Sequence, residues 1–228
     1  MLKAIIFDID NTLLDFMTMK SNAINAAVDG MLRNGLKADK TNAVEQIFNI
    51  YNAKGYEHQE VLNEFIISTI GKIDYRILAS GIVEYKKAKD NSLTLYPSVK
   101  ETLITLAKLG LKLGILSDAP SREAWIRLYM LDIHKIFNEV VTFDDTGFHK
   151  PAKEPFIKIC KELDVDYSEC LMVGDWPERD IKGAKQFGMK TAFAKYGSTQ
   201  DIQNSGADYD LDTILELVEI IKTENEIL

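Results

Sequence analysis

Past Pro97 the apolar residues come in two alternating textures, and no other feature of the chain narrows the possible folds as much. Amphipathic stretches of helix length, at 99–109, 122–131, 154–163 and 177–187, alternate with brief continuous apolar runs at 111–116, 139–143, 170–173 and 191–194. A helical period marks an element that covers one face of something else. A short run that is apolar on every side marks a strand buried on both faces. Strand–helix units of this length, joined by polar turns, fold as a parallel sheet with helices above and below it. The opening run at 2–7, with Ile5 and Ile6, belongs to the same set. The expected fold class is α/β, a Rossmann-like doubly wound parallel sheet.

Residues 16–93 do not share this rhythm. Ala23, Ala27 and Met31 recur at helical spacing, as do Val44, Ile47, Phe48 and Tyr51, then Val61, Leu62, Phe65 and Ile66, then Ile77, Leu78, Ile82 and Tyr85. Three or four amphipathic helices in succession, with no strand between them, exceed what one crossover needs. The expected organisation is a catalytic core of residues 1–15 and 94–228, interrupted by an all-α helical cap domain at 16–93. A hydrophobic content of 46% is enough for both parts to bury a core. The tail from Ile214 reads as one further amphipathic helix.

The formal net charge of −8 excludes nucleic acid and anionic membrane as main partners, because both would repel the chain. No apolar stretch approaches the ~18 residues of a membrane helix. The first residues lack the length and cleavage site of a secretory signal, and the two cysteines, Cys160 and Cys170, have no ligand-like spacing. Reduced, buried thiols in a cytoplasmic protein are expected. An acidic protein that handles an anionic substrate then needs local positive charge, from a metal ion and a few basic side chains.

In parallel sheets ligands sit beyond the carboxyl ends of the strands. Three strands here end in Asp8, Ser117 and Asp175. Asp8-Ile9-Asp10-Asn11-Thr12 sets two carboxylates two residues apart at a strand mouth, which suits a plain turn and equally a nucleophile beside a proton shuttle. Gly174-Asp175 closes another strand, ahead of a helix that Pro177 can start and that Glu178 and Asp180 suit through its dipole. Asp8 and Asp175 could together hold a hard cation such as Mg²⁺, which takes oxygen ligands. Ser117 fits a turn, and Lys150 an exposed position before Pro151. In company with the acids, the pair also supplies a hydroxyl and an ammonium for phosphoryl oxygens.

Taken in order, Asp8-x-Asp10-x-Thr12, the strand-end Ser117, Lys150-Pro151 and Gly174-Asp175-x-x-x-x-Asp180 resemble the four motifs of the haloacid dehalogenase-like (HAD) superfamily. The resemblance spans the chain, and the insertion at 16–93 falls where members with a type-1 cap carry a helical cap. It implies a nucleophile and metal ligand in Asp8. It also implies a general acid and base in Asp10, whose backbone carbonyl would bind the metal, with Asp175 as a direct metal ligand. Ser117, Asp118 and Lys150 would hold the phosphoryl group, with Thr12 and Asp180 in support. The roles of Thr12 and of the Asp10 carbonyl come from the resemblance alone.

Within that family an acid at position 10 suits a Mg²⁺-dependent phosphatase acting on a small phosphorylated metabolite through an aspartyl-phosphate, since a leaving alkoxide needs a proton and a halide does not. A sugar-phosphate mutase shares the acid and is the alternative. A haloacid dehalogenase, or a non-catalytic binding protein on the same fold, fits the clustered carboxylates less well. Phe16, Met17 and Lys20 follow the first motif closely enough to line an entrance. His58, His134 and Trp125 read as surface or packing residues, and His149 adjoins Lys150.

Overall fold

Strand β1 (Ala4–Phe7) carries no polar side chain and is buried along its whole length. Such a strand has nowhere to go except the centre of a sheet. The computed structural model, which describes residues 1–227, places it there. The sheet has six strands, β2 (Lys112–Leu116), β3 (Glu139–Val141), β4 (Cys170–Gly174), β5 (Lys190–Ala194) and β6 (Tyr209–Leu211) being the others, in the order β3-β2-β1-β4-β5-β6. Every pairing is parallel. The order reverses at β1, so the ends of β1, β2 and β4 meet at a topological switch point. Phe7 pairs with Ile115 on one side and Val173 on the other.

The chain falls into two units, Met1–Asp15 with Thr94–Leu228, and Phe16–Leu93. In the first, residues alternate between the faces of the sheet. Ala4 and Ile6 of β1 and Cys170 and Met172 of β4 share a core with Phe156, Ile159 and Leu163 of a helix at Lys153–Leu163. Cys160 and Cys170 are free and buried, with their sulfurs 3.8 Å apart. The second unit is four helices, α1 (Phe16–Arg33), α2 (Lys40–Lys54), α3 (Val61–Ile70) and α4 (Tyr75–Ser92). Asp39 and Asp74 accept backbone N–H bonds at the starts of α2 and α4, as N-cap carboxylates do. Ile24, Val28, Met31, Ile47, Phe65, Ile66 and Leu78 form the centre of this unit.

Two local expectations need correction, and one strand adds to those expected. Strand β6 has three residues, too few for a periodic signal. The segment after Pro177 opens as a π-turn over Pro177–Ile181 before four α-helical residues, Lys182–Lys185. The apolar run at 139–143 splits into β3 and a short helix, Phe143–Thr146, capped by Thr142 and Asp145. Among the described residues no helix is long and apolar enough to cross a membrane.

Candidate active site

Asp8 is the residue at which β1 stops. Its N–H still donates to Val173 O at 2.9 Å, so the carboxylate emerges from the sheet at a fixed height. The chain then folds back on itself. Leu13 N–H donates to Ile9 O at 2.9 Å and Asn11 N–H to Leu14 O at 2.8 Å. Asn11 takes the left-handed conformation at φ 57, which asparagine tolerates better than most residues. The loop is clamped by the turn that follows β5. Tyr196 donates its hydroxyl to Thr12 O at 2.8 Å, and a Cβ at Gly197 would sit 1.7 Å from Asn11 O, so only glycine fits there. Thr12 is fully buried, and its hydroxyl has no hydrogen-bond partner among the described residues. The clamp on the loop thus runs through the Thr12 carbonyl and Tyr196.

Lys150 is the hub. Its ammonium, 4% exposed as a residue, donates to Asp8 Oδ1 at 2.6 Å, Asp180 Oδ1 at 2.7 Å and Leu116 O at 2.9 Å. These three acceptors match the three N–H donors of an ammonium. Asp180 is fixed on its other oxygen by the Trp176 N–H at 3.1 Å. Its carboxyl lies so close under Gly174 that a Cβ there would come within 2.3 Å of it. Ser117, 5% exposed, accepts the Ala119 N–H at 3.1 Å, which leaves its own O–H able to donate.

The Asp118 carboxylate is engaged by protein donors on both oxygens. Its Oδ1 accepts the Lys150 backbone N–H at 2.8 Å, and its Oδ2 accepts from Arg179 at 3.2 Å. A carboxylate repels phosphate oxygens, and this one is occupied in presenting the Lys150 loop. Arg179 in turn stacks on the Trp176 ring at 4.1 Å. His149 stacks on Phe143 and lies 3.8 Å from Asp118.

Carboxylate oxygens of Asp8, Asp175 and Asp180 lie within 4.8 Å of one another. Burial, then repulsion from Asp180 and Asp10, pushes Asp8 up to about 7 despite the nearby Lys150. Asp175 is raised well above the usual carboxylate range by burial, then by Asp8 and Asp180. Burial alone would lower Lys150, yet Asp180, Asp8 and Asp118 hold it above its ordinary value. Two carboxylates that cannot both ionise comfortably, with hard oxygen donors converging, are the environment in which a divalent cation is at home. Asp180 has both oxygens engaged by protein donors, so Asp8 and Asp175 are the members of the cluster that fit a metal.

Asp10, two residues beyond Asp8, makes an ion pair at 2.7 Å with Arg127 of helix α6 (Ser121–Met130), which follows α5 (Val99–Lys108) and β2. Arg127, Tyr196 and Gly197 were not marked as functional by sequence. The signal for Arg127 existed, since it interrupts the apolar stripe Ala124–Leu128 of an amphipathic helix, but its partner is far away in the chain. Tyr196 and Gly197 sit in a turn after β5 that carries neither a periodic apolar pattern nor a motif. In the helical unit, Lys20 is buried, donating to Tyr56 O at 2.6 Å with the Tyr51 ring 4.1 Å away. His58 pairs with Glu64 at 2.8 Å, and Trp125 stands 40% exposed rather than packed inside.

A family model described as haloacid dehalogenase-like hydrolase matches residues 2–188. The chain is 33% identical over 223 residues to a glyceraldehyde 3-phosphate phosphatase of Methanocaldococcus jannaschii, covering 97% of this chain and 98% of that protein. It is 26% identical to pyrophosphatase PpaX of Oceanobacillus iheyensis, covering 96% of this chain and 97% of the other. Among solved structures, a HAD phosphatase from Thermococcus onnurineus matches with a TM-score of 0.73 at 27% identity, over 96% of this chain and 98% of that one.

Proposed function

This chain belongs to the haloacid dehalogenase-like hydrolases and is a phosphatase of that family; from that premise we propose that it hydrolyses a small phosphate monoester by way of a phosphoryl group carried on Asp8. The observation that carries the reading is the position of the Asp8 carboxylate. It is held by Lys150 on one oxygen and faces Asp175 at the switch point of the sheet. A carboxylate oxygen of Asp8 attacks phosphorus as the bond to the ester oxygen breaks. Asp10 delivers a proton to that departing oxygen, then takes one from the water that attacks the aspartyl-phosphate, releasing inorganic phosphate and restoring Asp8. Lys150 and the Ser117 hydroxyl orient the phosphoryl oxygens and take up the charge that builds on them. Asp8, Asp175 and the Asp10 carbonyl would hold a Mg²⁺ ion, which when bound supplies positive charge between the carboxylates and an anionic substrate.

The archaeal relatives named as glyceraldehyde 3-phosphate phosphatases match nearly end to end, which favours a triose-phosphate-sized ester. The unit Phe16–Leu93 is assigned the part of a cap that selects the substrate, and the two free cysteines suit a reducing cytoplasm. A panel of triose, sugar and nucleoside phosphates together with pyrophosphate, read as released phosphate, tests the substrate class. An isomerised phosphate ester in place of free phosphate would move the chain to the mutases. Chelator should abolish turnover. Asp10→Asn mixed rapidly with nitrophenyl phosphate should release one burst of nitrophenol and gain one phosphoryl group by mass. Full activity in chelator, or no mass gain, would remove the basis for the mechanism.

A further inference from the structure

Arg127 places a permanent charge on the buried face of α6. It lies on the inward face of the helix with Glu123, Ala124 and Leu128, and its side chain is 2% exposed. An inward position flanked by Ala124 and Leu128 would be filled at less cost by leucine or methionine. Taking a guanidinium out of water is expensive, and a buried ion pair is weak ground for stability by itself. Among the contacts of the arginine, one has a particular geometry: its Nη1 lies 2.7 Å from Asp10 Oδ2. The helix follows β2, β2 neighbours β1, and so α6 reaches across to the loop that leaves β1. The Asp10 side chain is 25% exposed, while Oδ1, the oxygen that does not meet the Arg127 Nη1, is buried.

We propose that Arg127 is a positioning residue, which holds the Asp10 carboxylate in the place from which it exchanges protons with the ester oxygen and with water. Asp10 and Asp8 repel each other through space. An unrestrained Asp10 would swing from the crowded strand mouth toward bulk water. An arginine suits the task because its charge is permanent and its planar fork constrains the direction of a carboxylate, whereas a lysine offers a flexible point charge. The inference rests on the proton-transfer role given to Asp10 above.

The experiment is a double-mutant cycle between Asp10→Asn and Arg127→Lys, with a sugar phosphate and nitrophenyl phosphate as substrates. Arg127→Lys keeps the charge and loosens the geometry, so kcat for the sugar phosphate should fall by about 10–100-fold. KM should stay nearly constant, and the first-turnover release of nitrophenol should hardly change. In the Asp10→Asn background, Arg127→Lys should have no further effect on that first turnover. A loss from Arg127→Lys that is equal for both esters, or that persists at full size in Asp10→Asn, overturns the proposal. If Arg127→Lys does not fold, the neutral pair Asp10→Asn/Arg127→Met is compared with Asp10→Asn. Matching bursts support the proposal, and a much slower burst in the pair overturns it. The failure of the underlying mechanism looks different, because Asp10→Asn alone would then hydrolyse the sugar phosphate at the normal rate.

Discussion

The two units treat charge in opposite ways. The sheet unit buries six charged side chains among its described residues: Asp8, Glu123, Arg127, Lys150, Asp175 and Asp180. The helical unit buries one, Lys20, which lies among Phe16, Tyr51 and Tyr85 rings. Apolar packing alone would have held either unit together, and replacing buried ion pairs by well-packed apolar groups often stabilises a protein. Asp8, Lys150, Asp175 and Asp180 gather at adjoining strand ends, and Arg127 reaches the loop beside them. The lesson is that interior charge, read with its place in the topology, separates what a unit needs to fold from what it needs to work.

The comparison breaks most sharply at Asp8. An amide there cannot form the acyl phosphate, so Asp8→Asn should lose about 10⁴-fold or more in turnover of every ester. Its thermal midpoint should hold, because one member of a mutually repelling set has been neutralised. Retained turnover would show that the buried acid is structural after all. The mirror experiment is Phe65→Ala in the helical unit, where a fully buried ring is removed. It should cost about 3–5 kcal/mol in denaturant unfolding, while folded molecules cleave nitrophenyl phosphate at nearly the original rate.

A smaller effect should appear in the pH dependence of stability without metal. In the folded protein Asp8 sits at about 7, against 3.8 for an ordinary aspartate, and Asp175 is raised as well. The folded state therefore keeps protons that the unfolded chain gives up. The associated stability is fully present below the unfolded value and is lost as pH rises through about 7. Thermal melts in chelator should fall from pH 5 to pH 8, and saturating Mg²⁺ should flatten that slope. An unchanged slope with metal would place the cation away from Asp8. Smallest of all, Lys20→Met should alter stability by no more than about 1–2 kcal/mol, the scale of a desolvated cation–π contact. If the helical unit selects substrates, the same change should shift KM for some esters more than others. Equal shifts for all esters would leave Lys20 a packing residue.

What could be read in the sequence was whatever is written locally. Continuous apolar runs marked β1, β2, β4 and β5, and a polar residue at the end of each of three runs marked Asp8, Ser117 and Asp175. Helical spacing marked the interruption at 16–93. Partners distant in the chain left no comparable trace. Arg127 meets Asp10, Tyr196 meets Thr12, and Gly197 meets Asn11 only after the sheet has formed. The Asp118 carboxylate is a related case. Its position after Ser117 was readable, but the backbone N–H that claims its carboxylate belongs to Lys150 on another loop.

The interruption of the chain between Asp15 and Thr94 also bears on how the molecule comes to be. β1 is central to the sheet, yet its neighbours β2 and β4 lie far downstream, beyond the whole helical unit. Pairings across such a distance carry a large loop-closure penalty and slow the search for the native state. At the seam, Asp15 N–H donates to Thr94 O at 3.1 Å, and Tyr96 N–H donates to Leu13 O at 3.0 Å. The residues that flank the insertion on either side therefore lie next to each other in the folded sheet unit. During synthesis the first strand made must wait for β2, and the whole helical unit is made in between.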